Sequence, residues 1–441
     1  MNKYLQTFPI DHAKALVARK LPSWPAASIV LLVVFAVIFP PGLLTGMNLY
    51  LLLLALIVWL FSGEKFDPNL LRAIAPFGLI IVFGLVAGIG SDWYIYLKDA
   101  WYLSNPAVIV STGYVLYRCK PDVARGLRAF VIGGTVVGLF FLSSFATHPD
   151  LVLQSSVKIR ETIGTGYYAP TLSFTILCAY SGKWSEGLAL PRRLAFCCLV
   201  VCALAVVLCF SRTMMVVVII GILAAAGILA RREWQRIVLV AIFGLLLVSV
   251  MRLTVDTESR EVQHTFIGKL ARSFDEISVQ EYTDFKSINE NWRGYETARA
   301  LKLYYSGSPI EWLFGHGFGA QVDLGLAMPL GGTVGERPEL KRFIPILHNG
   351  YAYLLVKGGA VAIFLFGYFL FWLYSVGRRV VASEKNQINF APGRVLQAVV
   401  VTLAVTTWIV SGVFNKLDMF PFILVAGFLL AAVTRPQDHR I

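Results

Sequence analysis

The chain has 441 residues, of which 57% are hydrophobic and 15% are charged, and its formal net charge is +13. Soluble domains contain about 45–50% apolar residues, so this composition excludes an ordinary soluble protein and indicates one that crosses a membrane repeatedly. The basic residues are scattered among loops rather than gathered into a stripe with interleaved aromatics, which argues against a nucleic-acid partner. We predict an all-α polytopic membrane protein.

About twelve apolar stretches are candidates for membrane spans, because a helix needs roughly 20 apolar residues to cross about 30 Å of hydrocarbon. The first and the last of these stretches are short. In chain order the predicted spans are Pro25–Phe39, Leu43–Ser62, Ala73–Ile89, Asp99–Arg118, Leu127–Thr147, Tyr167–Ser181, Leu194–Phe210, Thr213–Ala230, Arg236–Val255, Asn349–Tyr374, Leu396–Phe414 and Phe420–Thr434.

Lysine and arginine in the short loops predict the orientation, because basic residues stay on the cytoplasmic side. Loops on the side of the N-terminus are rich in them, whereas the opposite short loops hold only Lys98, Lys158, Arg160, Arg212 and Lys416. Both termini are therefore expected in the cytoplasm.

This topology divides the chain into five parts. Residues 1–24 are predicted to be a cytoplasmic tail without a cleavable signal peptide, and residues 25–255 to carry nine spans. Residues 256–347, here called the polar segment, are expected on the outside, which is the periplasm in a diderm bacterium. Residues 348–434 carry three more spans, and residues 435–441 form a short cytoplasmic tail.

A few basic residues on the outside contradict the usual charge bias and need an explanation. Arg212 lies between two predicted spans with almost no loop, where its guanidinium either reaches lipid phosphates or faces an anion inside the bundle. Lys98 either pairs with its neighbour Asp99, anchors the helix at the interface, or binds an anion. Arg160 either pairs with Glu161 or contacts a ligand, since glycines follow it closely.

The polar segment has its own predicted elements. Asn291–Tyr305 shows helical spacing of its large side chains, and a Ser-Gly-Ser-Pro run ends that helix. Trp312–Gly319 is rich in glycine and is predicted to be a compact turn packed beneath the helix. Val322–Phe343 contains four glycines and two prolines and is predicted to be a flexible flap. The polar segment contains no Asp-x-Asp pair and no metal-ligand cluster, so we expect a site without metal or cofactor.

His348 begins the tenth predicted span, where it is either a helix-start residue or a general base. An unperturbed imidazole titrates near ~6.5 and can accept a hydroxyl proton at neutral pH. Arginine binds phosphate oxygens through paired hydrogen bonds, and guanidiniums neutralise a leaving diphosphate.

Lys357 falls on the opposite side of the same helix and is expected in a buried pair or a cavity rather than in this site. Three carboxylates are candidates to assist His348, chosen only by their location in the chain: Glu281, Glu290 and Glu296.

Four short motifs occur in a distinctive order between Phe210 and Gly359. They are Phe210-Ser211-Arg212-Thr213, Trp292-Arg293-Gly294-Tyr295, Leu313-Phe314-Gly315-His316-Gly317-Phe318-Gly319, and His348-Asn349-Gly350-Tyr351 leading into Gly358-Gly359. In this order, and with this long outside segment, the chain resembles the O-antigen ligase and O-antigen polymerase superfamily of integral-membrane glycosyltransferases, which is GT-C-like.

The resemblance implies a glycan donor linked to undecaprenyl diphosphate, in the inner membrane of a bacterium, and an active site on the periplasmic side. It implies that Arg212 and Arg293 bind the diphosphate and that His348 activates the acceptor hydroxyl. Lys98, and less closely Arg160, match further diphosphate-binding positions of the family. The implied transfer inverts the anomeric carbon and uses neither metal nor nucleotide sugar.

The motifs leave the acceptor open. A ligase transfers the glycan to a sugar of lipid A-core, whereas a polymerase transfers it to another lipid-linked repeat unit, and both use the same arginine and histidine chemistry. The flap favours a ligase, because it could clamp a lipid-anchored acceptor. The competing classes are a twelve-span transporter of an anionic solute and a non-catalytic partner in polysaccharide export.

Overall fold

The structure is a computed structural model, and most of the predicted spans lie within the residues that it describes. These residues are 24–38, 41–61, 67–148, 159, 167–229, 235, 242, 246, 249–250, 276, 278–330, 339–383, 386–410, 412–414 and 419–434.

A helix lies over every predicted span except Arg236–Val255, of which only single residues are described. The helices are α1 (Trp24–Ile38), α2 (Pro41–Phe61), α3 (Pro68–Ala87), α4 (Trp93–Cys119), α5 (Val123–Thr147), α6 (Tyr168–Ala179), α7 (Trp184–Gly187), α8 (Arg192–Leu208), α9 (Arg212–Ala225), α10 (Phe285–Glu290), α11 (Trp292–Tyr305), α12 (Pro309–Phe314), α13 (Gly350–Ser383), α14 (Gln387–Ile409) and α15 (Phe420–Thr434).

Within the described residues, five helices are long and apolar enough to cross a membrane. They are α2, α3, α5, α13 and α14, and the shorter apolar helices α1, α6, α9 and α15 accompany them. This is the composition of an α-helical membrane protein. The count of twelve spans and the side of the membrane on which each loop lies stay predictions.

The polar segment contains a two-stranded antiparallel ribbon, formed by β1 (Val322–Leu330) and β2 (Glu339–Ile344). The prediction of an all-α chain therefore holds for the helix bundle and needs this addition outside it. The prediction of a flexible flap is wrong for the two strands, while the residues between them lie outside the described part of the chain. The β1 sequence reads Val-Asp-Leu, an apolar and polar alternation that places every second side chain on one face of a strand.

The ribbon is buried on one face, and an ion pair joins its two strands. Val322 and Leu324 are buried on one face. On the other face Arg342 of β2 donates two hydrogen bonds to Asp323 of β1, at 2.9 and 2.8 Å. The hydrogen bonds from Arg342 hold the pKa of the Asp323 carboxyl well below its usual range. The hydroxyl of Tyr295 in α11 donates to the Leu324 carbonyl oxygen, so the ribbon packs on that helix.

The glycine-rich turn joins the polar segment to the helix bundle through backbone hydrogen bonds. The Phe318 N–H donates to the Gly84 carbonyl of α3 over 2.9 Å, and the His316 N–H donates to the Val356 carbonyl of α13 over 2.8 Å. The His316 Nε2 atom also lies 3.0 Å from the Leu303 carbonyl of α11. The predicted compact turn beneath the helix is confirmed, and it also inserts between two helices of the bundle.

This close packing requires glycine at particular positions. Gly315, Gly317 and Gly319 have φ angles of 77°, 82° and 86°, a left-handed region that L side chains rarely adopt. A Cβ atom at Gly317 would lie 2.2 Å from the backbone nitrogen of Gly88. Gly359 has φ 63° and interrupts α13, which makes room for the Gly315 backbone beside the helix.

A buried ion pair lies behind the turn, where the Lys357 Nζ atom is 2.5 Å from the Asp99 Oδ2 atom and both side chains are 1% exposed. Asp99 also accepts hydrogen bonds from the Tyr353 hydroxyl at 2.7 Å and from the Gly319 N–H at 2.8 Å. The buried pair expected for Lys357 is confirmed. The alternative in which Lys98 pairs with Asp99 is wrong, because adjacent helix residues point in different directions.

Replacing Gly317 with alanine should destabilise the protein. The left-handed backbone alone costs roughly 1–2 kcal/mol for an L residue, and the new methyl group would meet the backbone of Gly88. The thermal unfolding midpoint of Gly317→Ala in detergent should therefore fall. The matched control is Gly367→Ala in α13, where a Cβ atom has open space and alanine favours the helix. Equal midpoints for the two variants would contradict this packing.

Replacing one partner of the buried ion pair should destabilise the protein more than replacing both partners. Lys357→Met leaves the Asp99 charge without its cation, and removing one partner of a buried pair costs about 3–5 kcal/mol. The double variant Asp99→Asn/Lys357→Met contains no buried charge at this point and should recover part of that loss. Thermal unfolding of both variants in detergent checks this, and a double variant less stable than Lys357→Met would refute it.

Candidate active site

Arg212 is placed at the first position of α9 by a tight corner after α8. Phe210 in this corner has φ 45°, a strained conformation for a bulky residue. A cation is unfavourable at a helix N-terminus because the helix dipole is positive there. Arg212 therefore does not stabilise its own helix, and it forms an ion pair with a carboxylate, that of Glu276.

Glu276 bridges two guanidiniums. Its Oε1 atom lies 3.0 Å from Arg293 Nη1, and its Oε2 atom contacts Arg212. All three side chains are about one quarter exposed. Gly294 permits the approach, since a Cβ atom there would lie 2.0 Å from the Ser278 carbonyl oxygen. The two arginines predicted from the sequence are thus brought together around a single anionic group.

His348 is bound by a second carboxylate, that of Glu296. The His348 Nδ1 atom lies 3.0 Å from Oε2 and 3.3 Å from Oε1 of Glu296, and the His348 backbone N–H donates to Oε2 over 3.0 Å. The Glu296 side chain is 3% exposed, whereas that of His348 is 38% exposed. One edge of the imidazole is therefore held by the protein while the ring remains accessible.

Helix α11 connects the two carboxylate clusters. Arg293 and Glu296 are three residues apart, and side chains at this spacing lie on the same side of a helix. Arg293 therefore contacts Glu276, and Glu296 contacts His348, from neighbouring turns of one helix. The guanidinium pair and the imidazole are consequently presented by a common support.

The start of α13 explains the His348-Asn349-Gly350-Tyr351 motif. The Asn349 Oδ1 atom accepts hydrogen bonds from the Tyr351 and Ala352 N–H groups at 3.0 and 3.2 Å, which caps the helix. Its amide nitrogen lies 3.4 Å from the Thr297 hydroxyl of α11. The residue after the histidine thus ties the beginning of α13 to the same helix that holds the imidazole.

Of the remaining predicted site residues, Lys98 is not part of this cluster. The Lys98 Nζ atom lies 5.7 and 5.9 Å from the ring centroids of Tyr94 and Tyr102, and in the described residues no ion pair or hydrogen bond links it to Arg212 or His348. Arg160 lies outside the described residues.

Sequence reasoning missed Glu276, for which no sequence signal exists. In the described part of the chain no three potential metal ligands come together, and a metal-independent site stays a prediction.

The carboxylates proposed by location are now distinguishable. Of the three, Glu296 contacts His348, whereas Glu281 forms ion pairs with Arg299 and Lys302 on the exposed side of α11. Sequence reasoning did not favour any of the three; the signal that could have singled out Glu296 is its place inside the predicted helix, three residues after Arg293.

The comparison with protein families bears on this same region. Residues 197–367 match the model of a family described as O-antigen ligase. Over these residues the chain is similar to that family, which supports its resemblance to the O-antigen ligase and polymerase superfamily. The matched residues contain Arg212, Arg293 and His348. No curated protein matches the chain. Members of this superfamily are glycosyltransferase-like enzymes whose substrates are lipid-linked glycans.

Removing the charge of Glu276 should expose an anion site. In Glu276→Gln the two guanidiniums lose the carboxylate that contacts both of them, so they attract an added anion more strongly. Inorganic pyrophosphate should raise the thermal unfolding midpoint of this variant more than that of the wild type. The matched control is Glu281→Gln, which removes another carboxylate that lies between two cations. Equal pyrophosphate responses in all three proteins would contradict an anion site at Arg212 and Arg293.

Proposed function

We propose that the protein is an O-antigen ligase, which transfers a polysaccharide from undecaprenyl diphosphate to a sugar of lipid A-core during lipopolysaccharide biosynthesis. The alternative is an O-antigen or exopolysaccharide polymerase that uses the same donor. One observation carries the proposal. Two guanidiniums surround one anionic group, and Glu296 of α11, the helix that carries Arg293, also binds the imidazole of His348.

In this proposal Arg212 and Arg293 bind the diphosphate of the donor. Their contacts with Glu276 demonstrate that both guanidiniums reach one acidic group. As the glycosidic bond breaks, negative charge accumulates on the departing diphosphate, and guanidiniums held nearby stabilise that charge. Lys98 and Arg160 are proposed as further diphosphate-binding residues, because they are basic and lie on the same predicted side of the membrane.

His348 is proposed as the general base. It takes the proton of the acceptor hydroxyl while the hydroxyl oxygen forms a bond to the anomeric carbon of the donor sugar. The bond between that carbon and the diphosphate oxygen breaks, its electron pair leaves with undecaprenyl diphosphate, and the anomeric configuration inverts. No metal, cofactor or nucleotide sugar enters this scheme. The support for it is the accessible imidazole, which is fixed through Nδ1.

The proposed setting is the inner membrane of a bacterium. We propose twelve GT-C-like spans with both termini in the cytoplasm, and the polar segment with its site at the periplasmic face. The distribution of lysine and arginine in short loops supports this orientation. The ligase is preferred over the polymerase because the ribbon, whose second strand ends shortly before His348, carries the exposed apolar side chains Leu340 and Phe343, which suit contact with a lipid-anchored acceptor.

Alanine substitutions at His348, Arg212 and Arg293 should abolish product formation while the protein still folds. Loss of a general base lowers a rate by about 10²–10⁴-fold, so surface polysaccharide should disappear and the undecaprenyl-linked donor should accumulate. The matched control is Lys302→Ala, an exposed cation on α11. Full product from both His348→Ala and Arg212→Ala would refute the site.

The banding of the product in cells that carry the inactive variant separates the two candidate activities. Loss of every chain attached to lipid A-core identifies a ligase, because no glycan then reaches that acceptor. A single repeat unit still attached to lipid A-core identifies a polymerase. Electrophoresis of extracted lipopolysaccharide provides the measurement.

A further inference from the structure

Glu296 is a charged residue that the protein has almost completely withdrawn from solvent. Its side chain is 3% exposed, although it lies on a helix of the polar segment. A buried carboxylate is unfavourable unless it is hydrogen-bonded. The Glu296 carboxylate contacts both the Nδ1 atom and the backbone N–H of one residue, His348, so this charge is arranged around the imidazole.

The contact determines which nitrogen of His348 carries the proton. An ionised carboxylate only accepts hydrogen bonds, so Nδ1 must be the donor to Glu296. In the neutral imidazole, Nε2 then bears the lone pair. When the ring takes up a proton at Nε2, the positive charge that forms lies beside the negative charge of the carboxylate.

We infer that Glu296 is the positioning residue of the transfer reaction. It orients the His348 ring, keeps the tautomer in which Nε2 is the base, and stabilises the imidazolium formed as the acceptor hydroxyl loses its proton. This inference rests on the proposed function, because it assigns Glu296 a role that acts through His348. The same logic applies to any base held by a carboxylate behind it.

Neighbouring contacts make the orientation rigid. Thr297, the next residue of α11, lies 3.4 Å from the Asn349 side chain, and Asn349 caps α13. The imidazole is therefore held through its own Nδ1 atom, through the backbone N–H of His348 and through the side chain of the next residue, Asn349. A ring held in this way loses little freedom when the acceptor binds, which favours the reacting geometry.

The test compares Glu296→Gln, Glu296→Asp, His348→Ala and the double variant His348→Ala/Glu296→Gln. Each full-length protein is reconstituted in liposomes with undecaprenyl-diphosphate-linked glycan and lipid A-core as substrates. Glutamine has the size of glutamate, and its amide oxygen can still accept from Nδ1 and from the backbone N–H, but it carries no negative charge to stabilise the imidazolium. We expect kcat of Glu296→Gln to fall by about 10²-fold, with the donor KM within twofold of wild type.

Two further results distinguish positioning from a structural role. Glu296→Asp, which keeps the carboxylate, should recover part of kcat. The double variant should be no slower than His348→Ala alone, because Glu296 has nothing to act on once the imidazole is absent. A multiplicative loss in the double variant, or a raised donor KM with unchanged kcat, would overturn the inference. Glu281→Gln is the matched control and should keep wild-type kcat.

The outcomes also separate this inference from the proposed function. If His348→Ala keeps full activity, the proposed base is wrong, whatever Glu296 does. If His348→Ala is inactive and folded Glu296→Gln is fully active, only the positioning role fails. Should Glu296→Gln not fold, Glu296→Asp decides, since a shorter side chain that still leaves kcat at the wild-type value would contradict a requirement for this contact.

Discussion

Asp99 is the point at which the polar segment, α4 and α13 meet. Its buried carboxylate accepts hydrogen bonds from Lys357, Tyr353 and the Gly319 backbone. A buried charge of this kind must be fully paired, because desolvation costs several kcal/mol for each ion. These buried hydrogen bonds therefore fix the position of the glycine-rich turn relative to α13. His348 lies just before the first half of α13, so the position of its imidazole depends on the hydrogen bonds that Asp99 accepts.

The site itself is organised by α11 rather than by the bundle. This helix provides Arg293 and Glu296 from one side, and its hydrogen bonds reach the ribbon and the start of α13. The guanidiniums of Arg212 and Arg293 contact the carboxylate of Glu276, and the imidazole of His348 contacts that of Glu296. The pairing offsets like-charge repulsion between Arg212 and Arg293 while both remain available to an anionic substrate.

Particular elements explain how far sequence reasoning reached. The bundle helices were predictable because long apolar runs have few alternatives in a membrane, and α11 because its large side chains repeat with helical period. The ribbon was missed because its glycines and prolines suggested a flexible chain, whereas the alternation in β1 was the relevant signal. Lys98 and Asp99 were considered as a pair because they are adjacent in sequence, although a helix turns them about 100° apart.

The membrane class, the order of the helices, the family motifs and the residue types available for chemistry could all be predicted, because they follow from composition, period and short local patterns. Which carboxylate contacts which cation became known from the packing of the folded chain. Glu276 meets Arg212 and Arg293 across 64 and 17 positions of sequence, and Glu296 meets His348 across 52. Such contacts depend on the packing of separate helices, and no local pattern encodes them.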